Sequence, residues 1–129
     1  MSVDSILFER VDVVAPCAMG AVFSESTIPR LQSHVIAGAA NNQLATSADG
    51  ARLHAAGILY APDYVINAGG IISVGREYLG GATAASIERE IHKIPQRLTQ
   101  IFERSRSTQR PTGDVADEMA RERLRTNAA

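Results

Sequence analysis

The sequence predicts an α/β fold, a partial parallel sheet of about three strands with crossover helices, followed by a C-terminal helical tail. Three observations predict it. Three short apolar runs rich in β-branched residues lack in/out alternation, as strands covered on both faces do. Each is followed by a stretch of helical character, the alternation of a parallel sheet with right-handed crossovers. Strand signals stop after Asn67, Ala68, Gly69 and Gly70, and the rest of the chain reads as helices.

In chain order, the first strand falls at residues 11–15, around Val13 and Val14. A short helix is expected at residues 26–31, with Pro29 tolerated only in its first turn. The second strand falls at residues 34–39, around Val35 and Ile36, and a helix is expected over residues 43–56. Gly50 weakens its middle, and Gly57 is placed to end it in the left-handed cap conformation. The third strand falls at residues 57–61, with strand-like Tyr64, Val65 and Ile66 close behind. Beyond the glycines, Ile87, Ile91, Ile94, Leu98 and Ile101 recur at spacings of four and three, one apolar stripe on a helix. Thr83 is its N-cap candidate, and Pro95 is expected to kink it. A last helix is expected from Asp114, with Val115, Met119 and Ala120 on one side.

The whole is 129 residues, one domain or part of one. A hydrophobic fraction of 45% and thirteen basic against fourteen acidic side chains fit an ordinary globular chain, not a disordered one or a polycation. No apolar stretch approaches the roughly 18 residues of a membrane span, and the opening residues lack a secretory pattern, so a cytoplasmic location is expected. Residues 88–129 hold nine basic and seven acidic side chains, with Glu88, Glu90 and Glu103 interleaved among the arginines. Solvated helix faces account for them better than a nucleic-acid surface.

Several chemistries have no residues to carry them. The lone cysteine, Cys17, cannot form an internal disulfide or a thiolate metal cluster. With no local base or cation beside it, a small thiol at a strand end, buried or half-buried, is favoured over a nucleophile. His34, His54 and His92 have no metal-ligand spacing, so no metal site is assigned. The glycines never fall into G-x-G-x-x-G or G-x-x-x-x-G-K-[ST], the patterns that bring backbone amides to a phosphate. What remains is placement. Cys17, Asn41 with Asn42, and Asn67 with Gly69 and Gly70 lie just past three expected strands, on the sheet edge where open α/β folds bind ligands. Asparagines at such positions are also, and more often, helix caps and turn formers. The two glycines fit a close helix–strand approach or a special turn equally well.

Taken together, three segments are recognisable: Val14 to Val22 with Pro16-Cys17-Ala18-Met19-Gly20, Val35 to Leu44 with Ala40-Asn41-Asn42-Gln43, and Tyr60 to Gly70 with Pro62-Asp63 and Asn67-Ala68-Gly69-Gly70. They resemble the Glu/Leu/Phe/Val amino-acid dehydrogenase family, and within it the leucine dehydrogenases, from about Val11 to Leu124. The match is to the family's C-terminal portion only. The resemblance implies a Rossmann-like NAD-binding domain, of which residues 1–82 would be the C-terminal half, with residues 83–129 a helical segment packing on it. It implies NAD-dependent oxidative deamination of a branched-chain or other apolar L-amino acid to its 2-oxo acid and ammonium. The lysines and aspartate that the family uses for this lie in an N-terminal domain that this sequence does not match. Lys93 corresponds to neither lysine, so no catalytic residue is assigned and the chain alone is expected to be inactive.

By the same resemblance, Cys17, Ala18, Asn41 and Asn67 correspond to contacts on the nicotinamide side of the cofactor, Asn42 to a contact with the substrate's amino-acid head, and Ile71 and Val74 to the side-chain pocket. Met19, Ile71 and Pro95 depart from residues common among relatives; the first two keep the apolar type. The expected partners are a second copy of the chain or a complementing chain with the missing domain. An alternative is a non-catalytic interaction or oligomerisation module, using the open edge of a half sheet. A weaker one is residual binding of a nicotinamide or small acid.

Overall fold

The computed structural model describes residues 5–81 and 83–127. Three two-residue strands, β1 (Val13–Val14), β2 (Val35–Ile36) and β3 (Leu59–Tyr60), form a parallel sheet in the order β1-β2-β3. Val13 faces Val35, which faces Leu59; Val14 faces Ile36, which faces Tyr60. The ladder is shorter than the apolar runs because the flanking residues bend away into loops. Val14, Ile36 and Tyr60 are buried, while their neighbours Val13 and Leu59 are exposed and Val35 is half-buried. One face of the sheet therefore carries the main core, completed by Phe23, Ile28, Leu53 and Ile58.

Between β1 and β2 a 3-10 turn spans Ile28–Arg30, with Pro29 in its first turn as expected. Helix α1 spans Ala48–Ala55, and Gly57 follows at φ 72°, in the left-handed region anticipated for it. The helix begins later than the residue 43 expected from the sequence. Gln43 and Ala45 are held in an extended segment instead: Phe23 N donates to Gln43 O at 3.1 Å, and Ala45 N donates to Phe23 O at 2.8 Å. That pairing, with a parallel bridge between Phe23 and Leu44, takes backbone groups a helix would need.

Tyr64, Val65 and Ile66 are not strand-like. They lie in α2 (Asp63–Ile66), because Pro62 closes the strand and its carbonyl accepts from Val65 N and Ile66 N at 3.0 Å each. Helix α3 spans Gly69–Leu79. The single kinked helix expected next is two helices. Helix α4 (Ala84–Ile91) starts at Thr83, whose hydroxyl accepts from Ser86 N while the Ser86 hydroxyl accepts from Thr83 N, a reciprocal cap. Helix α5 (Ile94–Thr108) restarts with Pro95 in its first turn. A continuous helix would drive the proline ring against the carbonyl of Ile91, so the chain breaks rather than kinks. Helix α6 (Thr112–Asn127) begins two residues before the expected Asp114. The buried Thr112 hydroxyl donates to Tyr60 O at 2.7 Å, which ties its start to β3.

The tail builds a second core from Ile101, Val115 and Ala116, against which Val65, Phe102 and Met119 pack. Ala120, expected on that side, is exposed. The boundary expected at residue 82 falls on Ala82, outside the described residues. Among the described residues, no helix is long and apolar enough to cross a membrane.

Candidate functional site

The three loops leaving β1, β2 and β3 meet at one edge of the sheet. Pro16 and Gly38 make the tightest contact. A Cβ placed on Gly38 would lie 2.2 Å from Pro16 O and 2.5 Å from the proline ring, so only a residue without a side chain fits. Ala40 N donates to Pro16 O at 2.9 Å across the same junction. Gly20 seats against the second loop in the same way, with a Cβ there falling 2.8 Å from Asn41 O and 2.9 Å from Asn42 O. Ala21 N donates to Asn42 O at 2.6 Å. Small residues thus draw the β1 loop onto the β2 loop.

The β3 loop joins through side chains. Asn67 Nδ2 donates to Asn41 Oδ1 at 2.5 Å and reaches Ala39 O at 3.4 Å. Asp63, at the start of α2, accepts from Gln43 N at 2.9 Å with one carboxylate oxygen and from Tyr64 N at 2.6 Å with the other. Gln43 is fully buried, and its Nε2 donates to Gly38 O at 2.8 Å and to Ala40 O at 2.9 Å. Its Oε1 has no partner among the described residues. Tyr60 closes the floor: its hydroxyl accepts from Asp63 N at 3.3 Å, and burial, with the nearby Asp63 charge, pushes the phenol up to about 12.

Cys17, Ala18, Asn41 and Asn42 are exposed along this edge, and Asn67 is half-buried. The exposure of Cys17 corrects the expectation of a buried or half-buried thiol; it comes directly after the buried Pro16, which occupies the packed position at the strand end. Asn42 has φ 52°, a left-handed conformation that asparagine tolerates better than most side chains, so it has a backbone reason to be asparagine. Gly69 and Gly70 open α3, but no crowding requires them: a Cβ on Gly70 would meet nothing within 4 Å, and one on Gly69 would meet only Ile91 at 3.9 Å. Ile71 and Val74 share an exposed face of α3, at 71% and 62% exposure. Ile71 lines a shallow hollow of about 230 Å³ with Ile72, Leu79 and Arg97, apart from the strand-end asparagines. A larger hollow of about 460 Å³, bordered by His54, Leu59, Tyr60, Phe102 and Arg106, contains none of Cys17, Asn41, Asn42 and Asn67.

Sequence reasoning placed Cys17, Asn41, Asn42 and Asn67 but missed Gln43, Asp63, Gly20 and Gly38 as the residues that assemble them. A signal existed for Asp63: Pro-Asp directly after a strand marks a turn. Gln43 gave none, since a glutamine after two asparagines reads as solvent-exposed.

The fold is an α/β domain whose polar loops converge at the carboxyl edge of a parallel sheet, the edge at which open α/β folds bind ligands. The profile of the glutamate/leucine/phenylalanine/valine dehydrogenase family matches residues 1–128, and the chain belongs to that family. It is 42% identical over 121 residues to a leucine dehydrogenase of Thermoactinomyces intermedius, covering 94% of this chain and 33% of that enzyme. A phenylalanine dehydrogenase of Caldalkalibacillus thermarum is 38% identical over 128 residues, 99% of this chain and 34% of that one. The crystal structure of L-tryptophan dehydrogenase from Nostoc punctiforme superposes with a TM-score of 0.89 at 42% identity, covering 94% of this chain and 36% of that one. The chain spans about a third of the length of the curated relatives it matches.

Proposed function

We propose that this chain is part of an NAD-dependent dehydrogenase that deaminates a branched-chain or other apolar L-amino acid to its 2-oxo acid and ammonium. The carrying observation is the Asn67–Asn41 hydrogen bond. Two carboxamides that share one hydrogen bond keep a free amide donor on the accepting partner and a free carbonyl acceptor on the donating one. Neighbouring donor and acceptor suit a primary carboxamide or a ribose hydroxyl, each of which accepts and donates, so the residues present fit the nicotinamide half of NAD. Cys17 and Ala18 would border it, with small exposed side chains that permit close approach. When bound, NAD supplies the hydride acceptor. Asn42, exposed and without a side-chain partner among the described residues, would hold the substrate's amino-acid head. Ile71 and Val74 would line the side-chain pocket once further polypeptide closes over α3.

The chain alone is proposed to bind without turning over. Asp63 has both carboxylate oxygens engaged, and Lys93 Nζ donates to Glu90 Oε1 at 2.6 Å beside the α4–α5 junction. Proton transfer and the grip on the carboxylate would come from a further domain, carried on the same polypeptide or a complementing chain, with assembly into homo-oligomers and a cytoplasmic location. The test is NMR of the 129-residue chain titrated with NAD. Resonances of Cys17, Ala18, Asn41 and Asn67 are expected to shift together, and Asn41→Ala to weaken binding at least threefold. Unperturbed resonances, or reduction of NAD by the purified chain with leucine or valine, would refute the respective halves of the proposal.

A second function has its own support in β1, an edge strand with Val13 51% exposed and Val11 41% exposed. Such an edge invites strand pairing, as an association module would use. Light scattering that finds a monomer at high concentration would count against it.

A further inference from the structure

The geometry points to Gln43 and Asp63 as positioning residues that set the asparagine pair at the strand ends, a role that rests on the function proposed above. Gln43 belongs to the loop it shapes. Its side chain folds back on the backbone preceding it, and the two hydrogens of Nε2 satisfy Gly38 O at 2.8 Å and Ala40 O at 2.9 Å. The loop from Gly38 to Gln43 is thereby closed around its own glutamine. Both carbonyls would otherwise be left without that donor in a region where Gly38, Ala40 and Gln43 are all buried. That is a costly arrangement to leave unmade.

Asp63 makes the second half. Its Oδ2 accepts Gln43 N across twenty residues of sequence, and its Oδ1 accepts Tyr64 N at 2.6 Å in the first turn of α2. The β2 loop and the start of α2 are therefore fastened to one carboxylate that is 9% exposed. Asn41 and Asn42 lie within the closed loop; Asn67 caps the end of α2. With the loop closed on one side and α2 anchored on the other, Asn67 Nδ2 arrives at Asn41 Oδ1, and Asn42 is held at φ 52°. Asn41 is exposed and Asn67 only half-buried, so packing does little to fix either carboxamide, and the order of the pair comes from the brace beneath it. Gln43 and Asp63 touch neither cofactor nor substrate; they act through Asn41, Asn42 and Asn67.

The experiment uses the isotope-labelled 129-residue chain with NAD as the probe. In the ligand-free protein, the side-chain amide signals of Asn41 and Asn67 report the pair directly. Gln43→Leu keeps similar volume and removes both donors. It is expected to retain cooperative unfolding and native Ile36 and Leu53 methyl signals, to shift the Asn41 and Asn67 amides to solvent-averaged values, and to weaken NAD at least tenfold. A folded Gln43→Leu chain with unchanged amide signals overturns the proposal. Should that variant not fold, the pair Asp63→Asn and Asp63→Ala decides. The asparagine keeps an acceptor for Gln43 N but turns its own amide against Tyr64 N, so it should retain the signals only in part, and the alanine should lose them; an alanine variant that keeps the signals of the unaltered chain overturns the proposal. Absence of any NAD effect on the unaltered chain sinks the cofactor assignment alone, because the ligand-free amide signals still decide the positioning role.

Discussion

The contact between Gly38 and Pro16 makes the sharpest stability prediction, because a glycine elsewhere in the chain supplies its opposite. A Cβ on Gly38 would sit 2.2 Å from Pro16 O, against the 3.4 Å at which ordinary contact begins. The obstacle is backbone, which cannot rotate aside, so the ends of β1 and β2 must part by about 1.2 Å, the difference of those two distances. The Ala40 N to Pro16 O hydrogen bond, now 2.9 Å, would stretch past useful length. Overpacking strain of about 1–3 kcal/mol and a lost hydrogen bond of about 1 kcal/mol give about 2–4 kcal/mol for Gly38→Ala. Gly50 is different. It lies inside α1, and its added Cβ would touch only Leu44 Cδ1 at 3.6 Å, so Gly50→Ala should stabilise by about 0.5–1 kcal/mol through helix propensity. Urea unfolding followed by far-ultraviolet circular dichroism measures both. With an m-value of about 2 kcal/mol per molar, Gly38→Ala lowers the midpoint by about 1–2 M, and Gly50→Ala raises it. A Gly38→Ala midpoint equal to that of the unaltered chain would refute the close-approach reasoning, and a lowered midpoint in Gly50→Ala would refute the helix reasoning.

Three other outcomes are expected. Burial raises the Asp49 carboxyl, but hydrogen bonds from the Thr46 hydroxyl and amide, both 2.8 Å, and the Arg52 charge outweigh it and hold its pKa below the usual 3.8. A depressed folded-state pKa means stabilisation that is full above the unfolded value and lost as the pH falls through the folded one, so below about pH 4 stability should fall less steeply in Asp49→Asn than in the unaltered chain. Thr83→Ala removes one half of the reciprocal cap of α4; a loss of about 1 kcal/mol should speed amide exchange at Ser86 and Ile87 about fivefold, read by NMR. Val115→Ala opens a void in the second core at a cost of about 2 kcal/mol, whereas Leu124→Ala, at a side chain 70% exposed, should stay within about 0.5 kcal/mol in the same urea assay.

The three strands were legible because their apolar runs are rich in β-branched residues, but the cover expected on both faces is corrected: Val14, Ile36 and Tyr60 are buried on one face while Val13 and Leu59 are exposed on the other. Their ends were not, since Pro16, Gly38 and Pro62 cut the ladder to two residues per strand through contacts between loops. The extended segment at Gln43 to Ala45 was hidden for a related reason. Its residues read as the start of a helix, and only Phe23, fully buried twenty positions earlier, recruits them into pairing. Pro95 was correctly read as a disturbance and wrongly as a kink, because the stripe of isoleucines keeps its spacing across the break. At the site, topology alone placed Asn41, Asn42 and Asn67 on one edge. Their hydrogen bonding could not be foreseen, because it depends on Asp63 reaching a backbone amide of another loop, and periodicity carries no information about such a contact.

On the function proposed above, the division of labour at the strand-end edge would follow from which groups there can titrate. Carboxamides and backbone amides keep their protonation state across the physiological range, so they hold and orient but do not exchange protons. The nearest phenol, on Tyr60, is pushed up to about 12 and stays neutral. Asp63 spends both oxygens on Gln43 N and Tyr64 N, and to free either it would have to release the β2 loop or the first turn of α2. Deaminating an amino acid needs an acceptor for the ammonium proton and a donor for the hydrated intermediate. In the proposed reaction the residues around the asparagine pair would supply orientation, and the exposed apolar face of α3, with Ile71, Val74 and Tyr78 on it, is where further polypeptide would close to bring the acid and base. On the function proposed above, this edge would order a ligand and leave the proton chemistry to a partner surface, for which the open edge at β1 and the bare face of α3 leave room.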